Sequence, residues 1–300
     1  MYIKIVIDEN KNSYISFWLL LITLLIGLII IVGGLTRLTD SGLSITRWDL
    51  ITGVIPPLST SDWEVAFNLY KEIPEYKLQN FSMSLSEFKV IYWWEFVHRF
   101  LGRVVGLLYL LPLIYFTFKK WVTGKTLIFL YIIFSLILLQ GFIGWYMVKS
   151  GLTDRTDVSH YRLSLHLTLA FFIYILTFWN YLKYNKKNNL TQNHKFSNFL
   201  LIIFLFSIIL QISVGALVSG LDAGQIYQSW PSMNGNFFPD DSNLKNLFSF
   251  NFLEIPSITQ FIHRNIAYLI FFLFLFIFMK IYRNDKLKIS DLFLRMKDKS

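Results

Sequence analysis

Four side chains that can carry charge lie within nine residues of an otherwise strongly apolar stretch. The segment WWEFVHRFLGR (93–103) contains Glu95, His98, Arg99 and Arg103. Ionisable groups are costly in hydrocarbon, and they mark functional sites when a membrane helix contains them. Glu95 and His98 are three residues apart, so a helix places both on one face. This pattern predicts a polar site for ligand binding or proton transfer.

Three of the five histidines occupy comparable positions in long apolar segments. They lie about four to nine residues inside the outer boundary, so a rise of 1.5 Å per residue gives them similar, shallow depths. A neutral imidazole binds haem iron well, and helical bundles hold such cofactors in their cores. The alternative for each is a packed histidine with a satisfied hydrogen bond. The candidate haem ligands are His98, His166 and His263, whereas solvated loop positions are predicted for His160 and His194.

The arginines near these histidines suggest carboxylate recognition. Arg99 and Arg264 each follow a histidine directly, and Arg103 lies one turn deeper. A guanidinium pairs bidentately with carboxylates, so haem propionates are candidate partners; snorkelling to the membrane interface is the alternative. Glu95 could accept a proton or stabilise positive charge in a polar pocket. An ion pair with Arg99 or Arg103 is the competing interpretation for this carboxylate.

The elements that must position these residues are six apolar segments. Hydrophobic residues make up 54% of the 300-residue chain, which favours a lipid solvent over water. Each segment is long enough to cross roughly 30 Å of hydrocarbon as a helix. Cysteine is absent, which excludes disulfides, thiolate metal sites and cysteine nucleophiles. We therefore predict an all-α integral membrane protein with six transmembrane helices, over residues 14–35, 90–116, 126–148, 162–182, 197–219 and 258–280.

Lysines and arginines are concentrated on one predicted side of the membrane. They precede the first segment, connect the second to the third and the fourth to the fifth, and follow the sixth. The positive-inside rule places this side, with both termini, in the cytoplasm. The net charge of +9 is thus interpreted as a topology signal whose partners are anionic membrane lipids, and no nucleic acid partner is predicted. The expected location is the bacterial inner membrane, with long outer loops over 36–89 and 220–257.

The chain also repeats itself. VGGLTRLTDSG (32–42) aligns with VGALVSGLDAG (214–224), and EFVHR (95–99) aligns with QFIHR (260–264). The first predicted helix therefore corresponds to the fifth, and the second to the sixth, which implies parallel halves. We predict a four-helix bundle over 1–190 and half of a repeated second bundle over 191–300. The pairs Gln140/Gly144 and Gln211/Gly215 are interpreted as helix-packing surfaces.

Several of these segments resemble the haem A synthase family of proteobacteria and mitochondria. The resemblance covers about residues 14–280 and is carried by GGLTRLTDSGLSITRWDLITGVIPPLSTSDW, MSLSEFKVIYWWEFVHRFLGR, RLSLHL, GALVSGLDAG and QFIHR. It implies an eight-helix protein that oxidises the C8 methyl of haem O to a formyl group for terminal oxidases. Carried over by position, it implies that His98 and His166 flank haem O and that Glu95 is catalytic. His263 would then be one axial ligand of a haem b cofactor.

The chain departs from the family pattern in two ways. It has no cysteine pair in its outer loop, and it is expected to lack the seventh and eighth helices, since the tail KISDLFLRMKDKS is too polar to span. The resemblance implies haem O synthase and terminal oxidase assembly proteins as partners, and a homo-oligomer is a further expectation. Two alternatives stay open: a bis-histidine b-type cytochrome in electron transfer, and a non-catalytic haem-binding assembly factor. Glu95 favours the enzyme, whereas the expected absence of two helices favours the assembly factor.

The charge distribution gives a direct test of topology. We expect a reporter enzyme that is active only in the periplasm to be silent when it is fused after Ser300, because the basic segments retain this end in the cytoplasm. Strong reporter activity in intact cells would contradict the predicted orientation.

Overall fold

The computed structural model describes residues 2–49, 51–185 and 198–297. This part of the chain is helical and contains no β-strand, which confirms the predicted fold class. The α-helices are α1 (Tyr2–Leu38), α2 (Thr60–Tyr70), α3 (Pro74–Leu78), α4 (Leu85–Phe118), α5 (Gly124–Asp154), α6 (His160–Tyr184), α7 (Asn198–Gly220) and α8 (Pro256–Lys297). Short 3-10 helices cover Thr52–Val54, Ala223–Gln225, Leu244–Phe248 and Phe252–Glu254.

Six of these helices, α1 and α4 to α8, are long and apolar enough to cross a membrane. They correspond to the six predicted segments, and all except α7 extend beyond both predicted bounds. His160 was expected in a loop, but it is the first residue of α6, so this prediction is wrong. The sixth helix was expected to end near residue 280 and instead continues to Lys297, although its candidate span ends at Arg283. His194 lies outside the described residues.

The extension of α8 has a simple physical reason. Its last part, KLKISDLFLRMK, contains neither glycine nor proline, and most of its residues are good helix formers. Hydropathy marks where a helix leaves the hydrocarbon and carries no information on where the helix itself stops. The predicted end was therefore the end of the span, while the helix continues beyond it.

The chain divides into two compact units, Met1–Leu190 and Thr191–Ser300. In the first unit, α1 packs along α4 and α6, and α5 packs along the same two helices. This closed arrangement is a four-helix bundle in which α4 and α6 lie diagonally opposite each other. In the second unit, α7 packs against α8. The assignment of different haems to the two units stays a prediction.

Two apolar clusters stabilise the first unit above and below the middle of α4. On one side of His98, Trp18 and Tyr109 belong to a core shared by α1, α4, α5 and α6. On the other side, Trp63 of α2 packs with Tyr92 of α4 and helps fix the outer loop on the bundle. His98 lies between these clusters along α4, so apolar packing positions the polar segment from both directions.

The start of α4 is fixed by a capping box. The Ser84 side chain accepts a hydrogen bond from the backbone N–H of Glu87, and the Glu87 carboxylate accepts one from the Ser84 backbone. This reciprocal pair satisfies two free N–H groups at the helix start. It fixes the first turn of the helix that carries Glu95 and His98.

The outer loop contains a buried carboxyl group. Glu75 in α3 is only 3% exposed, and its Oε1 accepts hydrogen bonds from the Tyr70 hydroxyl at 2.8 Å and from Asn80 Nδ2 at 3.4 Å. Burial raises the pKa of Glu75 from 4.5 to about 8, and burial also raises the pKa of Tyr70. The carboxyl group is therefore protonated in the folded loop at neutral pH.

The Glu75 cluster predicts a pH dependence of stability. The folded pKa lies above the unfolded value of 4.5, so between pH 4.5 and about 8 the unfolded chain loses a proton that the folded protein keeps. Stability should therefore fall as the pH rises through this window. We expect Glu75→Gln to flatten the dependence of the thermal unfolding midpoint on pH. Glu72→Gln, at an exposed position of the same loop, is the control and should leave the dependence unchanged. An unaltered slope in Glu75→Gln would contradict the assignment.

Candidate haem site

The imidazole of each predicted ligand lies directly against a glycine of the long helix that precedes its own. We call each such glycine a seat. A Cβ atom would overlap the histidine ring at Gly33 and Gly144 and would crowd it at Gly215, so the ring occupies the space that a side chain would take. The pairs, with the distance from a Cβ built on the glycine to histidine Cε1, are Gly33 with His98 (2.7 Å), Gly144 with His166 (2.9 Å) and Gly215 with His263 (3.0 Å).

The seats reveal a repeat shorter than the one found in the sequence. Alignment identified Gly33 and Gly215 as counterparts but gave no counterpart to Gly144. In the structure, the helix pairs α1/α4, α5/α6 and α7/α8 each contain one glycine seat and one seated histidine. The structural repeat is thus a single helix pair, of which the first unit contains two and the described part of the second unit contains one.

The two seated histidines of the first unit lie on diagonally opposite helices, His98 on α4 and His166 on α6. The structure therefore brings these two predicted ligands into one bundle interior. His263 belongs to the second unit, where it lies on α8 against α7.

The ring nitrogens suit a haem. Nδ1 of His98 and Nδ1 of His263 are buried, and neither has a hydrogen-bond partner among the described residues. Buried polar atoms without partners are uncommon, and an imidazole lone pair is a good axial ligand for haem iron. The described residues contain no group of three or more His, Cys, Asp or Glu side chains that could hold a metal ion by themselves. Single histidines fit a haem, because the porphyrin itself supplies the other nitrogen ligands of the iron.

Glu95 is buried, and both oxygens of its carboxylate accept hydrogen bonds. It is 3% exposed; its Oε2 accepts hydrogen bonds from Ser44 Oγ at 2.7 Å and from the backbone N–H of Ile45 at 2.6 Å. Its Oε1 accepts from Arg99 Nη2 at 2.5 Å. Of the two ion pairs considered from the sequence, the one with Arg99 is therefore formed. The carboxylate lies one helical turn from His98 and joins α4 to the outer loop.

The arginines after His98 hold the same loop. Arg99 donates to the carbonyls of Ile45 at 2.9 Å and Arg47 at 3.2 Å, and its guanidinium stacks over Trp48. Arg103 donates to the Asp49 carbonyl at 2.9 Å. Both side chains thus clamp the loop over the outer end of the bundle. These arginines therefore do more than extend to the membrane interface, which was the alternative considered from the sequence.

The second unit contains an equivalent clamp, by which we mean the hydrogen bonds that join the residues around the histidine to carbonyls of the outer loop. Arg264 donates to the carbonyls of Tyr227 at 2.6 Å and Ser229 at 2.8 Å, which lie at the positions of Ile45 and Arg47 in the repeat. Gln260, the counterpart of Glu95, donates to the Tyr227 carbonyl at 2.9 Å. The repeat therefore extends into the loops, where sequence similarity is too low to reveal it.

The two loops also begin alike. Asp40 and Asp222 are counterparts in the aligned sequences, and both have left-handed backbones, with φ values of 47° and 49°. Aspartate tolerates this conformation better than most residues, which explains its use where the chain leaves the helix.

A cavity of about 250 Å³ lies beside the clamp of the first unit. Arg47, Arg99 and Lys149 contribute cationic groups to its lining, and Trp48 and Trp145 contribute indole rings. No acidic side chain lines it. The cationic lining therefore suits an anionic group.

The two glutamines interpreted as packing residues do more than pack. Nε2 of Gln140 lies 3.1 Å from Nδ1 of His166 and 3.0 Å from the His166 carbonyl oxygen. Nε2 of Gln211 lies 3.2 Å from Nε2 of His263. The packing interpretation was incomplete. The available signal was the shared spacing of each glutamine, one turn before a seat glycine.

The fold is that of an all-helical protein with six candidate membrane spans, and its helix pairs contain three histidines seated on glycines. The sequence model of the cytochrome oxidase assembly protein family (COX15-CtaA) matches residues 16–295. The chain therefore belongs to this family, which confirms the resemblance identified from its motifs.

Individual relatives agree with the family match. The chain is 51% identical over 267 residues to a heme A synthase of Pelagibacter ubique (strain HTCC1062), covering 88% of this chain and 78% of that protein. It is 48% identical over 263 residues to one of Rickettsia bellii (strain RML369-C), covering 86% and 77%. It is 45% identical over 266 residues to one of Parvibaculum lavamentivorans, covering 88% and 76%. No solved structure matches significantly.

Proposed function

We propose that this chain is a haem A synthase, an oxidoreductase that oxidises the C8 methyl of haem O to a formyl group for terminal oxidases. The observation that carries the proposal is the pair of glycine-seated imidazoles on diagonal helices beside a buried carboxylate. Membership of the family and identity to several heme A synthases support it.

His98 and His166 would bind the substrate haem from opposite faces. Their helices face each other across the bundle, and each ring is backed by a neighbouring helix at a glycine. Such backing restricts where the macrocycle can lie. Orientation of this kind is what selective oxidation of one peripheral methyl requires.

Comparison of the two clamps supports a chemical role for Glu95. Gln260 performs the loop-holding function in the second unit with a neutral amide. A negative charge is therefore not needed to hold the loop, and its presence in the first unit suggests a further use. Arg99, Ser44 and the Ile45 N–H stabilise the carboxylate one turn from His98. We assign it the acceptance of a proton from the substrate, or the stabilisation of positive charge that develops there.

The cations at the outer ends of the sites would bind haem propionates. Arg99 lines the cavity with Arg47 and Lys149, and we retain Arg103 and Arg264 as further contacts. These arginines now donate to loop carbonyls. Carboxylates are stronger acceptors than carbonyls, so propionates can compete for the same donors.

His263 would bind haem b as a resident cofactor. Its buried Nδ1 and its glycine seat fit a haem ligand, as at the first site. A bound haem b would supply one-electron transfer. The chain's contribution is to hold the cofactor through His263 and to cover its outer end with the loop that Arg264 clamps.

A bis-histidine b-type cytochrome is the second candidate. The ion pair between Glu95 and Arg99 favours it, because it gives the carboxylate a structural role that needs no chemistry. For either function we propose the bacterial inner membrane, with both termini cytoplasmic. Haem O synthase, terminal oxidase assembly proteins and a second copy of this chain are the proposed partners.

Substitution of Glu95 separates these functions. We expect Glu95→Gln to keep the loop and the haem, because Gln260 shows that an amide can hold the equivalent loop, but to lower haem A formation about 100-fold or more. Ser44→Ala is the matched control, since it removes one hydrogen bond to the carboxylate and leaves its charge. Each variant is expressed beside a haem O source, and the extracted haems are separated by chromatography. Normal haem A formation by Glu95→Gln would limit Glu95 to its structural role and favour the cytochrome.

A further inference from the structure

The glutamines on α5 and α7 occupy equivalent places. Each lies one turn before a seat glycine, and each contacts the histidine that rests on that glycine. Oε1 of Gln140 and Oε1 of Gln211 are buried and have no hydrogen-bond partner among the described residues. A buried amide is unfavourable unless its polar atoms are bonded, so two such oxygens at matched positions call for an explanation.

We propose that Gln140 and Gln211 are positioning residues that orient His166 and His263 as haem ligands. The inference rests on the proposed function only in taking these two histidines as haem ligands. It assigns to the glutamines a role that neither helix packing nor the axial bonds account for.

The chemistry of a bound imidazole explains why an amide is needed. When one ring nitrogen binds iron, the other carries the proton and must donate it to an acceptor. That acceptor fixes the rotation of the ring and strengthens its donation to the metal. A glutamine amide has an acceptor oxygen as well as its donor nitrogen. Rotation of the amide group by half a turn therefore brings the unpaired Oε1 toward the ring.

His98 differs from the other two histidines. One turn before its seat, Gly33, the sequence has Ile29, which has no polar side chain. At the other two seats a glutamine side chain occupies this helical position and contacts the ring, so mutation can remove the contact.

The test compares two substitutions at each glutamine in the haem-loaded, full-length protein. Gln140→Met keeps the length of the side chain but removes the acceptor, so the midpoint potential of the haem held by His166 should rise. Gln140→Glu provides a stronger acceptor, so the same potential should fall. Gln211→Met and Gln211→Glu should shift only the haem that depends on His263. Potentials are read by spectroelectrochemical titration, and the low-spin signals by electron paramagnetic resonance.

The results separate orientation from packing. Opposite shifts in the Met and Glu variants, confined to one haem each, support the proposal, as does a loss of haem affinity of about 10- to 100-fold in the Met variants. Unchanged potentials, or shifts in the same direction for both variants, would overturn it and leave the glutamines as packing residues. A His166→Ala variant with an unchanged haem spectrum would overturn it through the ligand assignment.

Haem A formation is measured separately in the same preparations. If the opposite shifts occur in a protein that makes no haem A, the positioning role stands and the proposed enzymatic function fails.

Discussion

The contact between a glycine and an imidazole is the constraint on which the site depends. A helix that lacks a Cβ at one position lets the neighbouring helix bring a planar ring against its backbone. A methyl group would overlap the histidine ring at Gly33 and Gly144 and would crowd it at Gly215. The glycine therefore sets the position of the ring between the helices. The other polar groups of the site are arranged relative to it along the same two helices.

Helical geometry places two further polar groups next to the seat. In two of the three pairs, the residue one turn earlier on the glycine's helix is a glutamine that contacts the ring, Gln140 or Gln211. In two of the three helix pairs, the residue directly after the histidine is an arginine that holds the outer loop. One segment of helix thus positions the ligand and secures the loop over it. Irregular backbone near the membrane needs such partners for its carbonyls.

Much of this arrangement could be predicted from the sequence. Long apolar segments give the six helices, and the matched depths of three histidines give the candidate ligands. The partners of Glu95 could not be predicted, because Ser44 and Ile45 lie about fifty residues away and no local pattern links them to α4. The role of Gln140 was missed for a similar reason, since it depends on the register of α5 against α6. Alignment did not pair Gly144 with Gly33, because their flanking residues differ, and the signal at Gly144 was the spacing that Gln140/Gly144 shares with Gln211/Gly215.

The most direct test of the account is to fill a seat and examine the haem. Gly144→Ala adds one methyl group 2.9 Å from His166 Cε1, whereas Gly141→Ala adds the same group to the same helix where nothing lies within 4 Å. The measurement is the low-spin bis-histidine signal of the purified, haem-loaded protein by electron paramagnetic resonance. The account predicts that Gly144→Ala loses or shifts the signal of the haem held by His98 and His166, while Gly141→Ala keeps it. Identical, unperturbed signals from both variants would show that the glycine seat does not position the ligand.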